Sequence, residues 1–294
     1  MKELEALEKK RKICPLFLKI GIAGIATGVI LFIILMFLES SFLVFVASAF
    51  VIPGIVFIVL SLTKFHSIEK EFKRTCMSDI VNQVIPGSSY EEKMGIPLND
   101  IYRYNILKKA DRSRMEDLIY GTISGVKYKT CDLVLEERRV HTDSKGNTTV
   151  TYVPYFVGRF FEFDFNKNFK GDIIVTETAM FKPLKMQKIS LESEEFNKKF
   201  KTFANDEFSA FYVLTPQLMM SLLDLEKANP GAISIAINSN KLALALNNNR
   251  DTFTLKMNQE INGKVLEAFK KDINIIYQII DELNLNNKIF KKEY

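Results

Sequence analysis

IGIAGIATGVILFIILMFL, residues 20–38, and FLVFVASAFVIPGIVFIVLSL, residues 42–62, contain no charged side chain. A helix of about 20 apolar residues crosses the hydrocarbon core of a bilayer, so each run is long enough to span it. Only Glu39, Ser40 and Ser41 separate them, so the pair reads as a helical hairpin with both chain ends on one side. A cleaved leader is the competing reading of the first run, and Ala47-Ser48-Ala49 resembles a cleavage site. A leader's apolar region is roughly 7 to 15 residues, however, and a cut there would leave the chain starting inside a second span. Two adjacent uncharged stretches of this length are also rare in soluble cores.

Positive charge sets the expected orientation. Lys9, Lys10, Arg11 and Lys12 precede the first span, and Lys64, Lys70, Lys73 and Arg74 follow the second, whereas the intervening loop carries only Glu39. The positive-inside rule then puts both termini in the cytoplasm of a protein crossing the inner (plasma) membrane twice. The same eight residues are candidates for contact with anionic lipid, at about 1 kcal/mol each near the surface. They also account for most of the net charge of +5, and there is no arginine-rich run or nucleic-acid-binding motif, so no nucleic-acid partner is expected. Cys14, Cys76 and Cys131 form no CxxC pair and read as reduced thiols.

Within the first span Gly21, Gly24 and Gly28 fall on one helix face, and Ala47 and Gly54 offer a matching seam on the second. Small residues there allow close packing, within the hairpin or between copies. Pro53 is expected to kink the second span. Helical periodicity continues from Thr63 to about Val84 through Phe65, Ile68, Phe72, Cys76 and Ile80, until Pro86-Gly87-Ser88-Ser89 ends it. The expected division is a basic N-terminus and hairpin at 1–63, a juxtamembrane helix at 64–87 and a cytoplasmic domain at 88–294.

A mixed, charged segment runs to about Asp117, and Tyr120 to Val140 reads as one long strand or two shorter ones. Asp143-Ser144-Lys145-Gly146-Asn147 turns it into Thr148–Phe165, and Asn166–Gly171 turns that into Asp172–Thr178, which predicts an antiparallel meander. In FVGRFFEFDF, residues 156–165, Val157, Phe161, Phe163 and Phe165 share one face and Phe160, Glu162 and Asp164 the other. LESEEFNKKF starts a helical turn, DEFSAFYVL follows, and Thr215-Pro216 is a helix start with Thr as N-cap and Pro as first helical residue. Leu218, Leu222 and Leu225 form the buried stripe of that helix until Pro230-Gly231. A hairpin sets Ile233, Ile235 and Ile237 against Leu242, Leu244 and Leu246, with Ser234, Ala236, Ala243 and Ala245 on its other face. The last helix, capped by Asn258 and striped by Ile261, Val265, Phe269, Ile273, Ile276, Ile280 and Leu283, is the expected partner of that small-residue face. The order predicts an α+β fold, with antiparallel sheet and packed helices behind the two-helix transmembrane hairpin.

Two histidines, His66 and His141, exclude most metal and triad arrangements, and there is no HExxH, Walker A, GxSxG or Rossmann glycine pattern. No cofactor or metal is expected. Glu162 and Asp164, two carboxylates on one strand face, are the weak catalytic candidates, able to bind a metal or to share acid and base roles. Such a pair more often marks the solvated face of an antiparallel strand. Met180, Met186, Met219, Met220 and Met257 are scattered and read as core filling.

FVGRFFEFDFNKNFKG, SLESEEFNKKF, Asp206, Ala210 and LTPQLMMSL, between Phe156 and Leu222, resemble the bacterial domain-of-unknown-function family 3137. The resemblance extends over about 120–256 and includes two membrane spans ahead of the domain; it implies no activity, and the stretch ERRVHTDSKGNTTVTY falls where length is expected to vary. The leading expectation is a membrane-anchored cytoplasmic binding or scaffold module with an unknown protein or lipid partner. A membrane-bound enzyme, a hydrolase of a lipid or envelope precursor working through Glu162 and Asp164, is the alternative. An oligomeric pore or transport subunit is a third, weakened because ion pathways usually carry intramembrane charge.

Overall fold

The computed structural model describes residues 2–36, 42–164, 171–177, 186–238 and 240–285. The expected loop at 39–41, Phe165, the turn at 166–170 and Met180 lie outside the described residues. The chain divides into two compact units, Met1–Met77 with Phe253–Phe269, and Ser78–Thr252 with Lys270–Tyr294.

In the first unit, helix α1 (Lys2–Met36) and helix α2 (Phe42–Val84, which continues into the second unit) are both long and apolar enough to cross a membrane. The basic N-terminus is continuous with the first span, and the helix of the second span runs on past Leu62 to Val84. Glycine lets the two backbones meet. A Cβ on Gly21 would stand 2.7 Å from the Gly54 carbonyl oxygen, and one on Gly54 would stand 2.8 Å from that of Gly21. The seam is thus filled within the hairpin itself, and Phe17 packs edge-on to Phe57 at 5.6 Å nearby. Ser61 donates to the carbonyl of Cys14 at 2.7 Å.

The second unit is an antiparallel sheet with helices on it, the predicted α+β arrangement. Its elements are β1 (Ser89–Glu91), α3 (Leu98–Arg103), β2 (Arg112–Ile123), β3 (Val126–Thr142), β4 (Thr148–Asp164), β5 (Asp172–Thr176), β6 (Gln187–Ile189), α4 (Glu194–Lys199), β7 (Lys201–Ala204), α5 (Glu207–Val213), α6 (Pro216–Ala228), β8 (Ala232–Asn238), β9 (Lys241–Asn247) and α7 (Gly263–Glu282, which begins in the first unit). Among the described residues the sheet order is β1-β2-β3-β4-β9-β8-β5-β7-β6.

The last helix begins at Gly263 rather than after Asn258, which leaves Ile261 outside it, and three features of the sheet and its packing also differ from the expectation. First, β2 begins at Arg112, inside the segment read as irregular, and a two-residue turn at Ser124 and Gly125, both with positive φ, separates it from β3. Alternation is hidden there by a bulge between Glu116 and Ile119 that holds Asp117 at φ 58°. Second, the meander stops at β4, because β9 takes its free edge and β8 pairs with β5. Both strands of that hairpin are buried on both faces, so they need a strand on either side. Third, the small face does not receive the last helix. Ala236, Ala243 and Ala245 pack in one core with Cys131, Leu133, Leu135, Phe156 and Phe160, under Ile96, Ile101, Tyr104, Ile106 and Leu107. Arg159, which shares a sheet face with its register partner Leu246, meets the α7 backbone at the Asp272 carbonyl, so α7 lies on the branched face. The hairpin register itself is as read: Ile233 opposite Leu246, Ile235 opposite Leu244 and Ile237 opposite Leu242.

Candidate functional site

The segment Ile96–Leu107 covers one face of the sheet only as far as Tyr104, whose ring tilts against Phe160 at 6.0 Å. Past that point Thr122, Lys127 and Lys129 are exposed among the described residues. Register brings Tyr120 opposite Lys129, Thr122 opposite Lys127, Glu162 opposite Lys129, and Asp164 opposite Lys241, so β2, β3, β4 and β9 present one polar strip. It is concave, with an opening of about 380 Å³ lined by Tyr120, Thr122, Lys127, Lys129, Glu162 and Lys241 among others.

Glu162 and Asp164 lie here, half-buried and engaged. Glu162 accepts a hydrogen bond from the Tyr104 hydroxyl at 2.9 Å. Lys241 donates to Glu162 at 3.5 Å and to Asp164 at 2.7 Å. Burial lowers the affinity of the Lys241 ammonium for its proton, but Asp164 and Glu162 outweigh that, and the net shift is upward. Burial, reinforced by the neighbouring Glu162 charge, raises the Tyr104 hydroxyl well above the usual tyrosine range. Lys127 and Lys129 are exposed at the other rim, so three lysines and one glutamate line the opening.

The opposite face holds a charge network that inspection of the sequence missed. Arg159 and Asp132 are buried, with Nε 3.0 Å from Oδ1, and the other Asp132 oxygen accepts from the Thr252 amide at 2.7 Å. Arg250 completes the chain to Asp272 at 3.2 Å. Burial pushes the Asp132 carboxyl up to about 7, with Arg159 acting in the opposite direction. Nearby, Glu116, Asp117 and Asp251 bring carboxylate oxygens within 4.8 Å of one another, a spacing that suits a metal ion. Arg114 already stands 3.6 Å from Glu116 and 3.1 Å from Asp251, and Tyr90 donates to Asp117. The one sequence signal for this network was Arg159 itself, a cation between Val157 and Phe161 on an apolar strand face, which requires a buried anion.

The family described as "Protein of unknown function (DUF3137)" matches residues 155–285. This region belongs to the DUF3137 family. The DUF3137 region contains Arg159, Glu162, Asp164, Thr215, Lys241 and Asp272, whereas the two long apolar helices, Lys127, Lys129 and Asp132 lie before it. The concave strip is therefore shared between the DUF3137 region and the β2–β3 hairpin. No curated protein matches the sequence. The crystal structure of the mycobacterial trehalose monomycolate transport factor A, TtfA, is similar over 69% of this chain and 97% of that one, at 7% identity and a TM-score of 0.35, too slight a likeness to carry an argument.

Proposed function

We propose that the protein is a membrane-anchored binding module, held by α1 and α2 in the inner (plasma) membrane with both termini in the cytoplasm, whose ligand or protein partner seats an anionic group on the concave strip. The observation that carries this is the pairing of Lys241 with both carboxylates. The Lys241 ammonium lies against both carboxylates, so Glu162 and Asp164 serve to hold Lys241 in place. Three lysines, Lys127, Lys129 and Lys241, stand against the two carboxylates, so the strip keeps a positive excess carried by Lys127 and Lys129. Orientation rests on the flanking positive charge. Of the eight flank residues, Arg11 and Lys73 are buried, Lys10 pairs with Glu71 at 2.8 Å and Lys64 stands 5.1 Å from the centre of the Phe17 ring, which leaves Lys9, Lys12, Lys70 and Arg74 best placed for anionic headgroups.

Reporter fusions before Met1 and after Tyr294 test the topology: both should report cytoplasm, and an external signal from either end refutes it. A photo-crosslinking residue at Thr122 tests the strip. An adduct in cells that disappears with Lys129→Glu supports the reading, and no adduct from that position sinks it.

A further inference from the structure

Helix α5 is amphipathic in the inverted sense. Its buried residues are the small ones, Ser209, Ala210 and Val213, while Phe208, Phe211 and Tyr212 face outward at exposures of 78%, 42% and 46%. The outward three stand at i, i+3 and i+4, on one side of the helix. Helices on a water-facing surface turn their large apolar groups inward, so this orientation calls for an apolar phase on the outside. Helix α6 follows at a bend of 72°, and the pair together is apolar enough to be counted as one broken membrane span. It is not placed as one. Leu218, Met219, Leu222, Leu223 and Leu225 are buried, which leaves Met220, 60% exposed, as the large apolar side chain that α6 adds to the outer surface.

We propose that Phe208, Phe211, Tyr212 and Met220 form a membrane-contact face that lies in the headgroup boundary of the bilayer. Size selects this occupant over a protein. A stable protein interface takes about 20–30 residues a side, far more than four side chains supply. Shallow insertion of an amphipathic helix needs only a few apolar anchors, and Phe and Tyr are side chains suited to that depth. The chain also brings its own bilayer. With α1 and α2 apolar enough to span it, contact by α5 is an intramolecular event that needs little affinity of its own.

The protein contains no tryptophan, so one introduced indole reports its own surroundings. The full chain in lipid nanodiscs is compared as Phe208→Trp, as Phe211→Trp and, for a control on the β3–β4 hairpin, as Val140→Trp, where the native side chain is 51% exposed. The expected result is blue-shifted emission from both α5 reporters and loss of that emission when the acyl chains are brominated, with the Val140→Trp signal unchanged. Emission typical of water from both α5 reporters overturns the proposal. Blue-shifted emission that brominated lipid fails to quench overturns it equally, since the face would then be covered by protein.

Discussion

The carboxylate of Glu8 accepts the backbone N–H of Ile261 at 2.8 Å, across 253 positions of sequence. The same carboxylate holds Arg11, which donates to the Met257 carbonyl at 2.5 Å, and Glu69 on the second helix accepts from the Leu255 amide at 3.1 Å. Residues 253–261 have no regular secondary structure, so these side chains supply partners that a helix or strand would have supplied from its own backbone. Sequence placed this segment in the domain after residue 88 and Arg11 at the lipid surface; in the structure both belong to one packed arrangement with the helix pair.

Glu8→Ala removes an acceptor for the Ile261 amide and the partner of a buried guanidinium. The expected cost is about 1–3 kcal/mol. Hydrogen exchange read by mass spectrometry should show faster exchange over 253–262 with the sheet amides unchanged; equal protection in both proteins would show that the bond contributes nothing.

The helix seam makes a graded prediction. A Cβ at Gly54 meets the Gly21 carbonyl at 2.8 Å and the Ile25 amide at 3.0 Å, while one at Gly24 has its nearest neighbour at 3.3 Å. Gly54→Ala should therefore cost about 1–3 kcal/mol through overpacking. Gly24→Ala should cost clearly less, and thermal unfolding in detergent gives the order.

Thr215 is the N-cap of α6, accepting from the Leu218 amide at 3.3 Å, with Pro216 at the first helical position. Thr215→Ala should lower stability by roughly 0.5–2 kcal/mol, and Thr215→Ser should stay near the parent. An unchanged melting temperature for the alanine variant removes the cap from the account.

Asp132 and Arg159 predict a pH dependence. The folded carboxyl is raised to about 7 from an ordinary 3.8, so its contribution to stability is full below 3.8 and is lost as pH climbs toward 7. Arg159→Met leaves that buried carboxylate without its cation, at about 3–5 kcal/mol when ionised. Chemical denaturation should find the deficit large at pH 8 and smaller at pH 5. A deficit that does not change with pH would place the cost in packing instead.

What could be read from sequence was chemistry local to a few residues. Thr215-Pro216 carries its own start signal, and the Ile233/Leu246 register follows from alternation around a short turn. What could not be read depends on partners far along the chain. Nothing near Asp164 announces that β9 rather than β5 will lie beside it, and nothing near Asp117 announces a bulge. Glu162 and Asp164 were visible as a pair, but their meaning waited on Tyr104 and Lys241, which arrive from different elements.

The insertion of β8 and β9 between β4 and β5 also has a consequence for biosynthesis. As the chain leaves the ribosome, the β2–β3–β4 ribbon is complete while the outer edge of β4 has no strand to bond, and Lys241 emerges 77 positions after its partner Asp164. An open edge of this kind is a template for pairing with another nascent chain. Closure also demands contacts between distant parts of the sequence, which slows it. By then both apolar helices have been synthesised, so insertion into the bilayer can precede completion of the sheet, and anchoring would keep neighbouring nascent domains apart during the interval in which their edges are exposed.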